Sequence, residues 1–276
     1  MNYNKSELAN FILIKLESKK NEILTSYLES QQSIGYFFID DLLPKKIALE
    51  IYNHFPSTQN AILKKSLREF KYVAYQMDQY HPLLQEVIYA FQDHMIVDFF
   101  KENLNISSLY PDDNLYAGGL SLMSKNNFLN PHLDNSHDKD RSRWRVFNLL
   151  YYVTPDWKLD NGGNLEIWPN GLKSEPITIE SKFNRLVVMA THQKSWHSVS
   201  KVSVDDVRCC VSNYYFSDNP LRVNDAFHVT SFRGWPKQKI IDPILNLDSK
   251  IRMMVRTIFK KGIVKNPHVY KKKKAD

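Results

Sequence analysis

Apolar residues change their spacing twice along the chain. Between residues 6 and 30, Leu8, Phe11, Ile12, Leu16, Ile23, Leu24, Tyr27 and Leu28 recur near helical intervals, with Lys and Glu between them. IGYFFID then reads as a strand ended by Asp40–Asp41. LLPKKIALEIYNHF predicts a second helix, with Pro44 in its first turn and Pro56 just past its end. HPLLQEVIYAFQDHMIVDFFKENL predicts a third, on which Leu84, Val87, Ile88, Phe91, Met95 and Phe99 keep one face apolar. Residues 57–80 are polar and point to no element, and SSLYPDDN reads as a loop.

After residue 114 the helical period disappears. NLYAGGLSLMS, RWRVFNLLYYVT, GNLEIWPN, EPITIES, NRLVVMAT and VRCCVSNYYFS are short, β-branched or aromatic, and separated by turn residues. Such strands without intervening helices predict a sandwich or jelly roll, with the helices of residues 6–103 packed outside it. The expected class is α+β with a mainly β core, integrated as one domain. Its parts are a support region at 1–113, a core at 114–220 and a basic extension at 221–276.

Within the extension, DSKIRMMVRTIFKKG predicts a helix. Ile251, Met254, Val255, Ile258 and Phe259 lie on one face, with Lys250, Arg252, Arg256, Lys260 and Lys261 around the other. Such a helix either packs its apolar face on the domain or lies against an anionic membrane surface or an acidic substrate. Lys271–Lys274 is expected to be disordered.

Charge sharpens this division. From Phe232 onward there are 13 Lys/Arg against 3 Asp/Glu, while the preceding 231 residues hold 24 against 27. The net charge of +7 therefore belongs to the tail. The only cysteines, Cys209 and Cys210, are adjacent and poorly placed to pair, which suits a reducing cytosol. A metal site would have to use His and carboxylates. The apolar run Phe11–Ile14 is too short for a signal-peptide core, and nothing approaches the ~18 apolar residues of a membrane span. The expected location is cytoplasmic, with at most peripheral membrane contact.

In NPHLDN, His132 and Asp134 share one side of an extended chain. Alone the pair is weak, and a polar turn is the plainer reading; His137, Asp138 and Asp140 read as solvated loop. NRLVVMATHQKSWHSVS supplies a second histidine. Two His and a carboxylate form the facial triad that suits non-haem iron(II) and leaves open positions. His192 competes for the role, but Trp196 and Val199 favour His197. Arg208 opens an otherwise apolar strand, where burial is costly unless an anion meets it. A solvent-facing edge arginine is the alternative. Trp144, Trp157, Trp168 and Trp196 either wall a pocket or pack a core.

Taken in order, NPHLDN, then RVFNLLYYVTPDW with the Gly162–Gly163 turn and NLEIWPNG, then NRLVVMATHQKSWHSV and VRCCVSNYYFSD resemble the 2-oxoglutarate- and Fe(II)-dependent oxygenases, in their prolyl-hydroxylase-like branch. The resemblance runs from about Gly118 to Asp218. It implies a double-stranded β-helix, a cupin-like jelly roll. It implies Fe(II) on His132, Asp134 and His197, and 2-oxoglutarate with its far carboxylate on Arg208. It places Tyr152 on the same carboxylate, a position a core tyrosine would also occupy, and Asn148 and Leu150 along the same strand face. O2 and 2-oxoglutarate would go to succinate and CO2 as an aliphatic C–H is hydroxylated, with ascorbate as accessory reductant. Candidate substrates are a prolyl residue, an amino acid or peptide, or a sugar or lipid-linked glycan.

The resemblance is incomplete. Leu122 and Met123 stand where many prolyl hydroxylases carry a tyrosine, and the interval from His197 to Arg208 is slightly long. Asp134 argues against halogenation, and Tyr214 stands where nucleic-acid demethylases carry a second arginine, which argues against a nucleic-acid partner. The alternative function is a catalytically silent jelly-roll module docked on an anionic partner through the basic tail.

Overall fold

The computed structural model describes residues 3–259 and 270. Helix α1 (Lys5–Ser18) opens with a capping box: the Asn4 side chain accepts from the Glu7 N–H while the Glu7 carboxylate takes the Asn4 N–H, both at 2.9 Å. The long helix expected over 6–30 breaks at Lys19, and α2 (Lys20–Ser30) follows. Then come β1 (Tyr36–Ile39) and α3 (Lys45–Asn53), with Pro44 as its N-cap.

The stretch that pointed to no element holds a hairpin, β2 (Ile62–Lys65) and β3 (Glu69–Ala74). The third expected helix is also two, α4 (Pro82–Ala90) and α5 (His94–Asn103). Asp93 restarts it by accepting from the Met95 N–H at 3.2 Å. The remaining elements are β4 (Tyr110–Pro111), β5 (Gly119–Met123), β6 (Phe128–Leu133), β7 (Trp144–Tyr152), β8 (Leu165–Ile167), β9 (Ile177–Ile179), β10 (Arg185–Ala190), β11 (His197–Val199), β12 (Arg208–Ser217), β13 (Ser231–Phe232) and α6 (Ile241–Ile258).

All thirteen strands form one curled sheet in the order β1-β10-β7-β12-β5-β3-β6-β11-β8-β9, with β2 on β3, β4 on β12 and β13 on β6. The N-terminal region therefore does more than cover the core with helices: β1 to β4 are built into the sheet.

β7 shows how the sheet separates core from site. Phe147, Leu149 and Tyr151 point to the cluster built with Leu8 and Ile12 of α1, Leu84 and Ile88 of α4, and Phe100 of α5. Alternation sends Asn148, Leu150 and Tyr152 to the opposite, concave side. Gly119 (φ +134°) lets β5 approach β3; a Cβ there would sit 2.7 Å from the Ala74 carbonyl oxygen.

Helix α6 begins at Ile241 rather than at Asp248, and of its residues only Leu245 and Ser249 are buried. Lys260, Lys261 and Lys271–Lys274 lie outside the described residues.

Candidate metal and co-substrate site

The concave side encloses a cavity of ≈ 240 Å³, lined among others by His132, Asp134, His197, Asn148 and Arg208. β6 and β11 pair with His132 directly opposite His197, so the sheet register itself brings two distant histidines together. Their ring centroids lie 4.0 Å apart. Asp134, just past β6, faces both: its carboxylate oxygens are 3.8 Å from His132 Nε2 and 3.7 Å from His197 Nε2. One ligand atom from each of the three falls within 4.8 Å of the others.

The tautomers follow from the backbone. His132 Nδ1 meets the Asn130 carbonyl and His197 Nδ1 meets the Ser195 carbonyl, both at 2.9 Å. A carbonyl only accepts, so each Nδ1 carries the proton and each Nε2 turns its lone pair toward the other donors. Burial, reinforced by the neighbouring His197, pushes the His132 imidazole down to about 3, so it is neutral at physiological pH. Burial alone would raise the Asp134 carboxyl. The buried Arg145 guanidinium, 3.5 Å away, and the two imidazoles outweigh it and hold Asp134 below the usual carboxylate range. Phe232 of β13 stacks on the far side of the His132 ring at 5.1 Å.

Arg208 lies at the other end of the cavity. It is buried, its Nη2 reaches the Ser121 hydroxyl at 3.3 Å, and its Nε has no hydrogen-bond partner. No carboxylate pairs with it among the described residues. Its side chain passes close to Gly163 (φ +66°), where a Cβ would stand 3.2 Å from Arg208 Cδ. The Tyr152 ring sits 5.3 Å from the guanidinium, and its buried hydroxyl lies near Arg208 and Ser181 without completing a bond to either.

The fit to a metal and a dicarboxylate rests on unfilled valences. Asp134, Asn148 and Arg208 line this cavity, with Arg145 behind Asp134 and Tyr152 beside Arg208. Asp134 Oδ2, Arg145 Nε, Asn148 Oδ1, Tyr152 Oη and Arg208 Nε are all buried without hydrogen-bond partners among the described residues. Buried polar atoms rarely stay unsatisfied unless a ligand meets them. Two imidazoles and a carboxylate suit Fe(II), and a buried guanidinium without a counter-ion suits a carboxylate.

The structure decides between the alternatives left open for His192 and the tryptophans, and it corrects the reading of His137. His192 is not at the site: its Nε2 meets the Ile34 carbonyl at 2.9 Å and its Nδ1 accepts from the Lys194 N–H at 3.1 Å, so both nitrogens serve the fold. His137 is not solvated loop but buried, stacked on Phe227 at 5.0 Å. None of Trp144, Trp157, Trp168 or Trp196 lines the cavity. Trp157 and Trp168 are buried and donate to the Gly162 carbonyl and the Ser198 hydroxyl.

Sequence reading missed Arg145 and the contribution of β2 and β3, whose Lys64, Glu69 and Lys71 line the cavity together with Tyr75 just beyond β3. Glu69 and Lys71 pair at 3.0 Å. Arg145 had a readable signal, a charge inside an apolar strand two residues beyond another arginine; β3 had none.

A curled antiparallel sheet with a close His-Asp-His set and an unpaired buried arginine lining one cavity defines a class: a double-stranded β-helix whose donors could hold a metal ion and an anion. Residues 118–216 match the family model of the 2OG-Fe(II) oxygenase superfamily. The cofactors of that family are Fe(II) and 2-oxoglutarate, which the donor set fits. The fold is shared with a prolyl-4-hydroxylase from Pseudomonas putida (14% identity, 70% of this chain and 98% of that one, TM-score 0.53). It is shared equally with a prolyl 4-hydroxylase from Phytophthora capsici (16% identity, 95% and 82%, TM-score 0.54). No curated protein matches the sequence.

Proposed function

We propose that the chain is an Fe(II)- and 2-oxoglutarate-dependent dioxygenase that hydroxylates an aliphatic C–H. The observation that carries this reading is the coincidence, in one cavity, of three mutually close metal donors and a buried arginine without a counter-ion. His132, Asp134 and His197 would hold the metal, and Arg208, with Tyr152 beside it, would take the far carboxylate of 2-oxoglutarate. When bound, the iron supplies the oxygen chemistry: O2 and 2-oxoglutarate become succinate and CO2 while the substrate C–H becomes C–OH.

The chain's own residues do the rest. The Asn130 and Ser195 carbonyls fix both imidazoles with Nε2 toward the donor centre. Arg145 keeps Asp134 ionised and limits how its carboxylate can turn. Asn148 offers a carbonyl oxygen between the two ends. The candidate substrates remain those with an aliphatic C–H within reach of the cavity: prolyl residues, amino acids and peptides, and sugar or lipid-linked acceptors. A silent binding module has no support from the family match, and it leaves the cluster of unsatisfied polar atoms without a purpose.

Anaerobic titration of the purified chain with Fe(II) and then 2-oxoglutarate should develop the visible charge-transfer absorption of a chelated co-substrate. A substrate screen read by succinate release should then find an acceptor. His132→Ala should abolish both signals, and retained turnover in that variant would remove the triad assignment.

A further inference from the structure

Helix α6 is mounted inside out. Its polar side faces the domain. Asp242 takes the Arg233 guanidinium in two bonds of 2.7 Å each. Asp248 pairs with Arg68, from the β2–β3 turn, and with Arg252 at 3.0 Å. Ser249 Oγ accepts from the Phe232 N–H at 3.0 Å, and Arg252 donates to the Thr230 carbonyl at 2.6 Å.

The apolar side faces out. Ile240, Ile244, Leu247, Ile251, Met254 and Ile258 recur at intervals of four and three, and they are between 49% and 79% exposed. At ~100° per residue they fall within an arc of about 80° on the outer surface. A continuous exposed stripe of large aliphatic side chains marks an interaction surface.

Charge identifies the partner. Both acidic residues of α6 are taken by arginines on the domain side. Lys237 and Lys239 just before the helix, and Lys250 beside the stripe, are exposed and have no acidic partner among the described residues. The unbalanced charge beside the stripe is therefore positive. The sequence beyond Phe259 continues the sign, with seven Lys and one Asp. Among the described residues no helix is long and apolar enough to cross a membrane, so contact through α6 would be peripheral. A second copy seated on the same stripe would bring these lysines near one another.

We propose that α6 docks the protein on an anionic lipid surface. The aliphatic stripe enters the boundary between headgroups and acyl chains, and Lys237, Lys239 and Lys250 meet lipid phosphates. Helix α6 lies close to the metal donors through its inner side, because Phe232, held by Ser249 of α6, pairs with His132 across β13 and β6.

The test is vesicle co-sedimentation of the full-length chain. Vesicles containing about a third phosphatidylglycerol should retain it, pure phosphatidylcholine vesicles should not, and rising salt should release it. Ile251→Asp and Leu247→Asp change exposed side chains and should each weaken retention at least about tenfold. A combined Lys237→Glu, Lys239→Glu, Lys250→Glu variant should abolish the preference for anionic vesicles. Thermal melts of each variant establish that it is folded. Retention unchanged by Ile251→Asp would assign binding to the basic tail and overturn docking through α6. Equal behaviour of the two vesicle types would overturn the lipid assignment. So would a concentration-dependent dimer in light scattering that Ile251→Asp dissolves, which would give the stripe to a second copy.

Discussion

The two ends of the cavity each hold a buried arginine, and the arginines are in opposite situations. Arg145, at the metal end, faces Asp134 at 3.5 Å and packs over the Tyr214 ring at 4.4 Å. Arg208, at the far end, donates to the Ser121 hydroxyl and lies beside the Tyr152 ring, with no carboxylate partner among the described residues. One guanidinium completes a charge balance within the protein; the other requires a charge from outside it. Burying an ion without a partner costs several kcal/mol, so a fold that keeps such an ion does so because a ligand offsets it. On the proposed function, the donor end is preorganised by the protein, and the arginine end would be completed by the co-substrate.

This contrast predicts that the two arginines fail differently when removed. Arg208→Ala should raise the 2-oxoglutarate concentration needed for half-saturation by about 100-fold, with metal affinity nearly unchanged. Isothermal titration of the metal-loaded chain measures it directly. A variant that instead lost metal and kept its response to 2-oxoglutarate would reverse the assignment of the two ends.

Arg145→Ala should do the opposite. Losing a residue that orients a ligand typically costs about 10- to 100-fold in metal affinity. Chelator competition reads that loss, and Arg145→Lys should recover only part of it, because lysine keeps the charge without the planar fork. Unchanged metal affinity in Arg145→Ala would make this arginine a packing residue over Tyr214.

Histidines divide in the same way, into those that serve the site and those that serve the fold. Burial, the largest cause, pushes both His137 and His192 down to about 4. The unfolded chain takes up these protons near pH 6.5, and the folded chain refuses them until about pH 4. Their contribution is thus fully present above pH 6.5 and declines as the pH falls toward 4. Each should withdraw on the order of 2 kcal/mol of stability by pH 5. Denaturant melts of His192→Gln between pH 7 and pH 5 should show a shallower decline, with metal binding retained. An unaltered slope would show that His192 is not one of the groups responsible.

How far the sequence could be read follows from where each signal lies. His132 and Asp134 were weak candidates alone and gained weight only through the resemblance of four ordered segments, whereas Arg208 stood out as a charge opening an apolar strand. His197 needed its tryptophan and valine neighbours to separate it from His192; the structure separates them by cross-strand register, which no single segment displays. β3 was illegible because half-buried charges interrupt it: Glu69 and Lys71 line a cavity and pair with each other instead of facing a core. The breaks in the two long helices were partly legible, since Asp93 is an acceptable N-cap, whereas Lys19 carries no such mark. The orientation of α6 was beyond reach. An amphipathic period shows two faces but not which one the protein turns inward, and here Arg68 and Arg233, far apart in the sequence, make that choice.

The smallest expected effect tests the far end most finely. Ser121 Oγ accepts from the Arg208 guanidinium at a long 3.3 Å. A bond from a charged donor at that length lies at the low end of the usual range of about 1.5–3 kcal/mol, so Ser121→Ala should raise the 2-oxoglutarate requirement by about tenfold or less. It acts through the aim of Arg208 and not through its charge. The double variant Ser121→Ala, Arg208→Ala should therefore be no worse than Arg208→Ala alone, and the cycle measures that coupling. If the two losses add in full, Ser121 meets the co-substrate independently, and the far end holds two recognition groups where the geometry shows one.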